Sequence, residues 1–139
     1  MGLILDSSVL ISAERRRFDM PSFIEAEAAM EPVYIAAVTV SELLHGVHRA
    51  GEVYRCQRQA FVEAVLRNTP ILPFDLICAK NHAKLWADLE SEERRIGALD
   101  MLIAVTCLAF GHRLATVSLS EWRAWSWRML VSIWWGDVT

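Results

Sequence analysis

The sequence predicts an α/β fold, a three-layer α/β/α sandwich around a central, mostly parallel sheet of four to five strands. Two observations carry it. Short apolar runs recur at positions 2–5, 33–38, 71–74, 113–117 and 130–135 of the 139 residues. Between them lie stretches with apolar side chains at helical spacing, long enough to cross over a sheet. Strands alternating with such helices join as parallel neighbours, and the helices cover both faces.

In chain order, "GLIL" (2–5) reads as the first strand, and "SSVLISAERRR" (7–17) continues as a helix with Ser7 or Ser8 as its cap. "PSFIEAEAAM" (21–30) opens a second helix at Pro21. "VYIAAV" (33–38) is the second strand, and "TVSELLHGVHRAG" (39–51) a helix that stops near Gly51. A further helix, "VYRCQRQAFVEAVLRN" (53–68), ends at Pro70 before the strand "ILPF" (71–74). The long amphipathic helix 75–95 breaks at Gly97. The helix "ALDMLIAVTCLAF" (98–110) is apolar almost all round, which places it in the interior, and Gly111 ends it. "RLATV" (113–117) is the fourth strand and "LVSIWW" (130–135) a fifth. With no repeats and no low-complexity linker, residues 1–139 are expected to form one domain.

Composition narrows the class. No run approaches the roughly 20 apolar residues of a membrane-spanning helix, and Asp6 interrupts the N-terminal apolar run, so neither a span nor a secretory signal is expected. Cys56, Cys78 and Cys107 lack metal-ligand spacing and read as buried thiols of a reducing compartment, hence a cytoplasmic protein. The net charge of −3 argues against holding nucleic acid by a bulk positive field, but not against local contacts. All basic residues except Lys80 and Lys84 are arginines, whose forked donors suit phosphate.

In a parallel sheet, ligands collect beyond the carboxyl ends of the strands. Three acids fall there: Asp6 directly after strand one, Glu42 shortly after strand two, and Asp100 in the first turn of the helix before strand four. Each has a structural explanation. Asp6 can cap a helix; "TVSE" (39–42) fits a capping box with Glu42 reaching back to Thr39; Asp100 complements a helix dipole. Together they ask for more, because two unit charges 4 Å apart repel by about 4 kcal/mol at an effective dielectric near 20. A divalent cation relieves that, and all-oxygen ligands select Mg²⁺ or Mn²⁺ over zinc. Two metals in such a site would activate water and stabilise the leaving oxygen in phosphodiester hydrolysis.

"LILDSSVLI", "VTVSELLHG" and "RRIGALDMLIAVTCLAFGHRLATVSLSEW" resemble, in this order, the PIN-domain ribonucleases, specifically VapC-type toxins of toxin–antitoxin pairs, and residues 1–122 fit throughout. The resemblance implies a PIN-like fold and a metal-dependent endoribonuclease that cuts single-stranded or looped RNA and so blocks translation and growth. Asp6, Glu42 and Asp100 match the family's first acids, as ligands of Mg²⁺ or Mn²⁺. It also implies a homodimer, a toxin–antitoxin hetero-oligomer, and a cognate antitoxin lying over the cleft. The chain departs from the pattern after strand four, where Ser118 stands in place of an amide or carboxylate, while Glu121 matches the further acid. Ser118 and Glu121 complete the expected catalytic set; a hydroxyl is a poor direct ligand, which puts a second metal in question.

Ser7, Thr116, Arg94 and Arg95 are candidates for substrate contact. The basic cluster at 14–17 fits a solvated face as well as a phosphate contact. His45, His48, His82 and His112 have no ligand spacing and read as surface residues. Five of the six tryptophans lie between Trp122 and Trp135; base stacking is one use for them, core or a protein interface the commoner one. Two rivals remain: a catalytically weakened PIN-like partner-binding protein, which Ser118 motivates, and a receiver-like phosphoacceptor with Asp6 as acceptor, which wants a lysine after a late strand.

Overall fold

The computed structural model describes residues 2–15, 19–28, 30–93, 96–117 and 133–135. Five strands form one parallel sheet in the order β3-β2-β1-β4-β5. They are β1 (Leu3–Leu5), β2 (Val33–Ala36), β3 (Ile71–Leu72), β4 (Arg113–Thr116) and β5 (Ile133–Trp135). The helices are α1 (Ser7–Glu14), α2 (Met20–Ala28), α3 (Ala37–Arg49), α4 (Glu52–Asn68), α5 (Leu76–Ser91) and α6 (Ala98–Phe110). The predicted three-layer α/β/α architecture is therefore the observed one, and 130–135 contributes a strand that pairs with β4.

Alternation along the central strands divides the core. Leu3, Leu5, Ile35 and Ala115 face α1, α3 and α4, packing on Val9, Leu10, Leu43 and Val62. Ile4 and Leu114 face the other way, onto Leu89 of α5 and Met101, Ile103, Ala104 and Cys107 of α6. β1 is central and buried on both faces, which explains its unbroken apolar run. Helix α6 buries five consecutive positions from Ile103 through Cys107, and Met101 besides, in keeping with its uniform apolarity. Its end is fixed by Gly111, at φ 69°, a left-handed conformation that glycine adopts without a Cβ clash.

Several boundaries differ from the sequence reading. β2 stops at Ala36 and α3 starts at once, so Thr39 lies inside the helix and is fully buried. The capping box at 39–42 is thereby excluded: the cap of α3 is Ala36, with no side-chain cap bond. α1 is capped by Asp6, not by Ser7 or Ser8. α5 is capped by Asp75, whose Oδ1 accepts from the Cys78 amide at 3.0 Å and whose pKa that bond lowers. Cys78 and Cys107 are buried as expected, but Cys56 is exposed on α4. His112 is no free surface residue: its ring stacks on Tyr34 at 4.9 Å, and its Nδ1 accepts from the Gly2 amide at 2.9 Å. No described helix is long and apolar enough to cross a membrane.

Candidate active site

Asp6 follows β1 directly, at the carboxyl edge of the sheet, and is 4% exposed. Its Oδ1 accepts from the Ser7 amide at 2.9 Å, the capping bond of α1. Its Oδ2 accepts from Ser8 Oγ at 2.8 Å and from Thr116 Oγ1 at 2.9 Å, at the end of β4. Ser8 Oγ in turn accepts from the Val117 amide at 3.3 Å. Hydrogen-bond donors and the positive end of α1 thus satisfy the buried charge within the protein itself.

Ser7 connects Asp6 to the second acid. Its hydroxyl donates to Glu42 Oε2 at 3.2 Å, from the first turn of α1 to the second turn of α3. Ser7 therefore positions Glu42 rather than capping a helix. Asp100 lies in the first turn of α6. Because α6 leads back into β4, that turn sits at the same carboxyl edge, and α6 packs against α3 there. The Asp100 carboxylate folds back over Gly97: a Cβ there would come within 3.1 Å of Oδ2. Further down α6, burial pushes the Cys107 thiol well up, and the nearby Asp6 charge adds to the shift.

The fold thus links Asp6, Ser7, Thr116 and Glu42 into one network and puts Asp100 on the same edge. Among the described residues no three His, Cys, Asp or Glu side chains are grouped to hold a metal. The donor chemistry, carboxylates and hydroxyls only, still fits a hard divalent cation. Ser118, Glu121, Arg94 and Arg95 lie outside the described residues, as do tryptophans 122–127. Sequence reading passed over Ser8 as a cap; its place two residues after a strand-end aspartate was the available signal. His45 and His48 are exposed on α3. Lys80 and Lys84 lie within α5, where Lys84 pairs with Asp88 at 3.1 Å, which gives the receiver-like reading no strand-end lysine.

The PIN domain family model matches residues 3–117, and this chain belongs to that family. Ribonuclease VapC1 of Rickettsia felis is 34% identical over 124 residues, which span 88% of this chain and 90% of that protein. Ribonuclease VapC of Rickettsia bellii is 32% identical over 124 residues, with the same two coverages of 88% and 90%. Among solved structures, VapBC2 from Rickettsia felis bound to a DNA fragment from their promoter superposes with a TM-score of 0.86 at 23% identity, over 99% of this chain and 100% of that one. VapBC-5 from Mycobacterium tuberculosis does so with a TM-score of 0.75 at 26% identity, over 98% and 100% of the two chains. The first of these likenesses is one of fold.

Proposed function

We propose that this chain is a metal-dependent endoribonuclease that hydrolyses RNA phosphodiester bonds as the toxin of a toxin–antitoxin pair. The family, the VapC ribonucleases similar to it over most of their length, and the VapBC complexes that share its fold support the reading. The observation that carries it is the buried Asp6, braced by Ser8 and Thr116 and joined through Ser7 to Glu42 at the open edge of the sheet. A structural aspartate needs its cap bond; it does not need a second acid delivered to its neighbour.

Asp6, Glu42 and Asp100 would hold Mg²⁺ or Mn²⁺. When bound, such a cation lowers the pKa of water and offsets charge on a phosphate. The chain's own part is positioning. Ser8 and Thr116 fix the Asp6 carboxylate by its Oδ2, and Ser7 holds Glu42 by its Oε2, so neither acid has to be ordered when substrate arrives. Ser118 and Glu121 would complete the set, and Arg94 and Arg95 would contact the substrate. The partner is an antitoxin protein occupying the cleft, with the chain acting as a homodimer in the cytoplasm.

The test is cleavage of end-labelled structured RNA by the purified chain with Mg²⁺ or Mn²⁺. Expected are cutting that stops on chelation and a loss of at least about a hundredfold on Asp6→Asn or Asp100→Asn. Cutting that survives chelation, or a folded Asp6→Asn protein with full activity, overturns the reading.

A further inference from the structure

We propose that Arg58 binds an RNA phosphate in the same cleft and that Glu14 holds its guanidinium until a phosphate displaces it. The proposal rests on the ribonuclease reading and adds a residue to it. A small cleft of about 70 Å³ opens beside Glu42, between one face of α1 (Ile11, Glu14), one face of α3 (Glu42, Gly46) and Arg58 of α4. Ser7, Ile11 and Glu14 repeat at helical spacing on α1, as Glu42 and Gly46 do on α3. The cleft therefore runs on from the Ser7–Glu42 hydrogen bond, which stands at its Asp6 end.

Arg58 is held loosely there. Its Nε reaches Glu14 Oε1 at 3.3 Å and its Nη1 the Gly46 carbonyl at 3.5 Å, both long for charge-assisted bonds. The contact is single-point, without the bidentate fork that makes arginine–carboxylate pairs strong. A phosphate offers what Glu14 does not use, paired oxygens matched to the forked donors of arginine. Exchange of one anion for the other is thus inexpensive.

Gly46 points the same way independently. It sits in the interior of α3, where glycine weakens a helix, and a Cβ added there would meet nothing within 4 Å. Packing does not ask for the glycine. The space it leaves is the floor of the cleft.

The experiment measures binding of a fluorescent, unstructured oligoribonucleotide to the full chain carrying Asp6→Asn, which stops cleavage, across a salt series. Adding Arg58→Gln is expected to weaken binding about tenfold and to reduce the log–log salt slope by about 0.7, the signature of one lost phosphate contact on a single strand. Arg58→Lys keeps the charge without the fork and is expected to recover the slope with only part of the affinity. Glu14→Gln is expected to tighten binding about threefold by freeing Arg58, and to do nothing once Arg58→Gln is present. Circular dichroism checks that each variant is folded. Unchanged affinity and slope in folded Arg58→Gln overturn the proposal. So does an equal gain from Glu14→Gln with and without Arg58, which marks a general charge effect. If the Asp6→Asn parent binds no RNA and the native chain cuts none, the ribonuclease reading itself falls and this inference with it.

Discussion

The hydroxyls of Ser8 and Thr116 lie 3.2 Å apart although 108 positions separate them, and both donate to the same oxygen of Asp6. The contact ties the first turn of α1 to the last residue of β4, across a boundary that only the fold creates. Ser8 closes the loop by accepting from the Val117 amide. The carboxylate is therefore held by two separate elements and cannot swing without breaking bonds to both.

Thr116→Val tests how much that bracing is worth. Thr116 is fully buried, and valine keeps its shape while removing the donor to a charged acceptor. A hydrogen bond of this kind contributes about 1.5–3 kcal/mol. Urea unfolding should show a lower midpoint at unchanged m-value, and cleavage should fall with it because Asp6 is less well held. A midpoint within error of the native protein would mean that Ser8 and the α1 terminus suffice.

Two substitutions of Asp6 should separate chemistry from folding. From sequence alone, Asp6→Ala is expected to abolish cleavage at little cost to folding; the structure changes the second half of that expectation. Alanine removes the acceptor for the Ser7 amide and for the Ser8 and Thr116 hydroxyls at a buried position. Loss of the cap alone costs about 1 kcal/mol, and each orphaned buried donor adds about 1–3 kcal/mol. Asparagine caps helices as well as aspartate does, its one oxygen accepting from the Ser7 amide while its NH2 donates to the Ser8 and Thr116 hydroxyls, which can turn to accept. Asp6→Asn should therefore stay near native stability and lose activity, while Asp6→Ala loses both. Equal melting temperatures for the two variants would refute the bracing network.

The sheet and its helices were legible because their signals are local: unbroken apolar runs for strands buried on both faces, and Gly111 for the end of α6. The nearness of Asp6 and Glu42 at the carboxyl edge, where Ser7 joins them, was legible as well, since it follows from parallel topology. Hydrogen-bond partners were not. "TVSE" satisfies the capping pattern, yet β2 passes straight into α3 at Ala37, and burial of Thr39 in the core wins over the cap. The Thr39 hydroxyl is buried and has no hydrogen-bond partner among the described residues, an arrangement no propensity would choose. Thr116 as a brace for Asp6 depends on the β1–β4 pairing, which joins Leu5 to Ala115. Arg58 was overlooked because nothing in the sequence distinguishes it from the other arginines of a polar helix.

His112 should make the fold sensitive to mild acid. Burial first, and the positive N-terminus second, lower its pKa from 6.5. The folded state thus binds fewer protons than the unfolded chain just below that value, so stability rises with pH there and falls as pH drops from 6.5 toward the folded pKa. The geometry agrees, because Nδ1 accepts from the Gly2 amide and cannot do so once protonated. Urea unfolding of native protein and His112→Gln at a series of pH values should show a steeper acid-side decline in the native protein. Parallel profiles would place the sensitivity elsewhere.

Gly46→Ala should move stability and RNA binding in opposite directions. A Cβ at Gly46 meets nothing within 4 Å, and the residue lies inside α3, so alanine should stabilise the fold by about 0.5–1 kcal/mol through helix propensity. The same methyl group stands on the floor of the cleft lined by Glu42 and Arg58, beside the carbonyl that Arg58 approaches. Affinity for the oligoribonucleotide should therefore fall, while thermal unfolding shifts upward. Bulkier Gly46→Leu should deepen the loss of binding without a matching loss of stability, because the space it fills is solvent rather than core. If alanine raises the melting temperature and leaves RNA affinity untouched, the glycine is a tolerated weakness of the helix and the cleft is not a path for substrate.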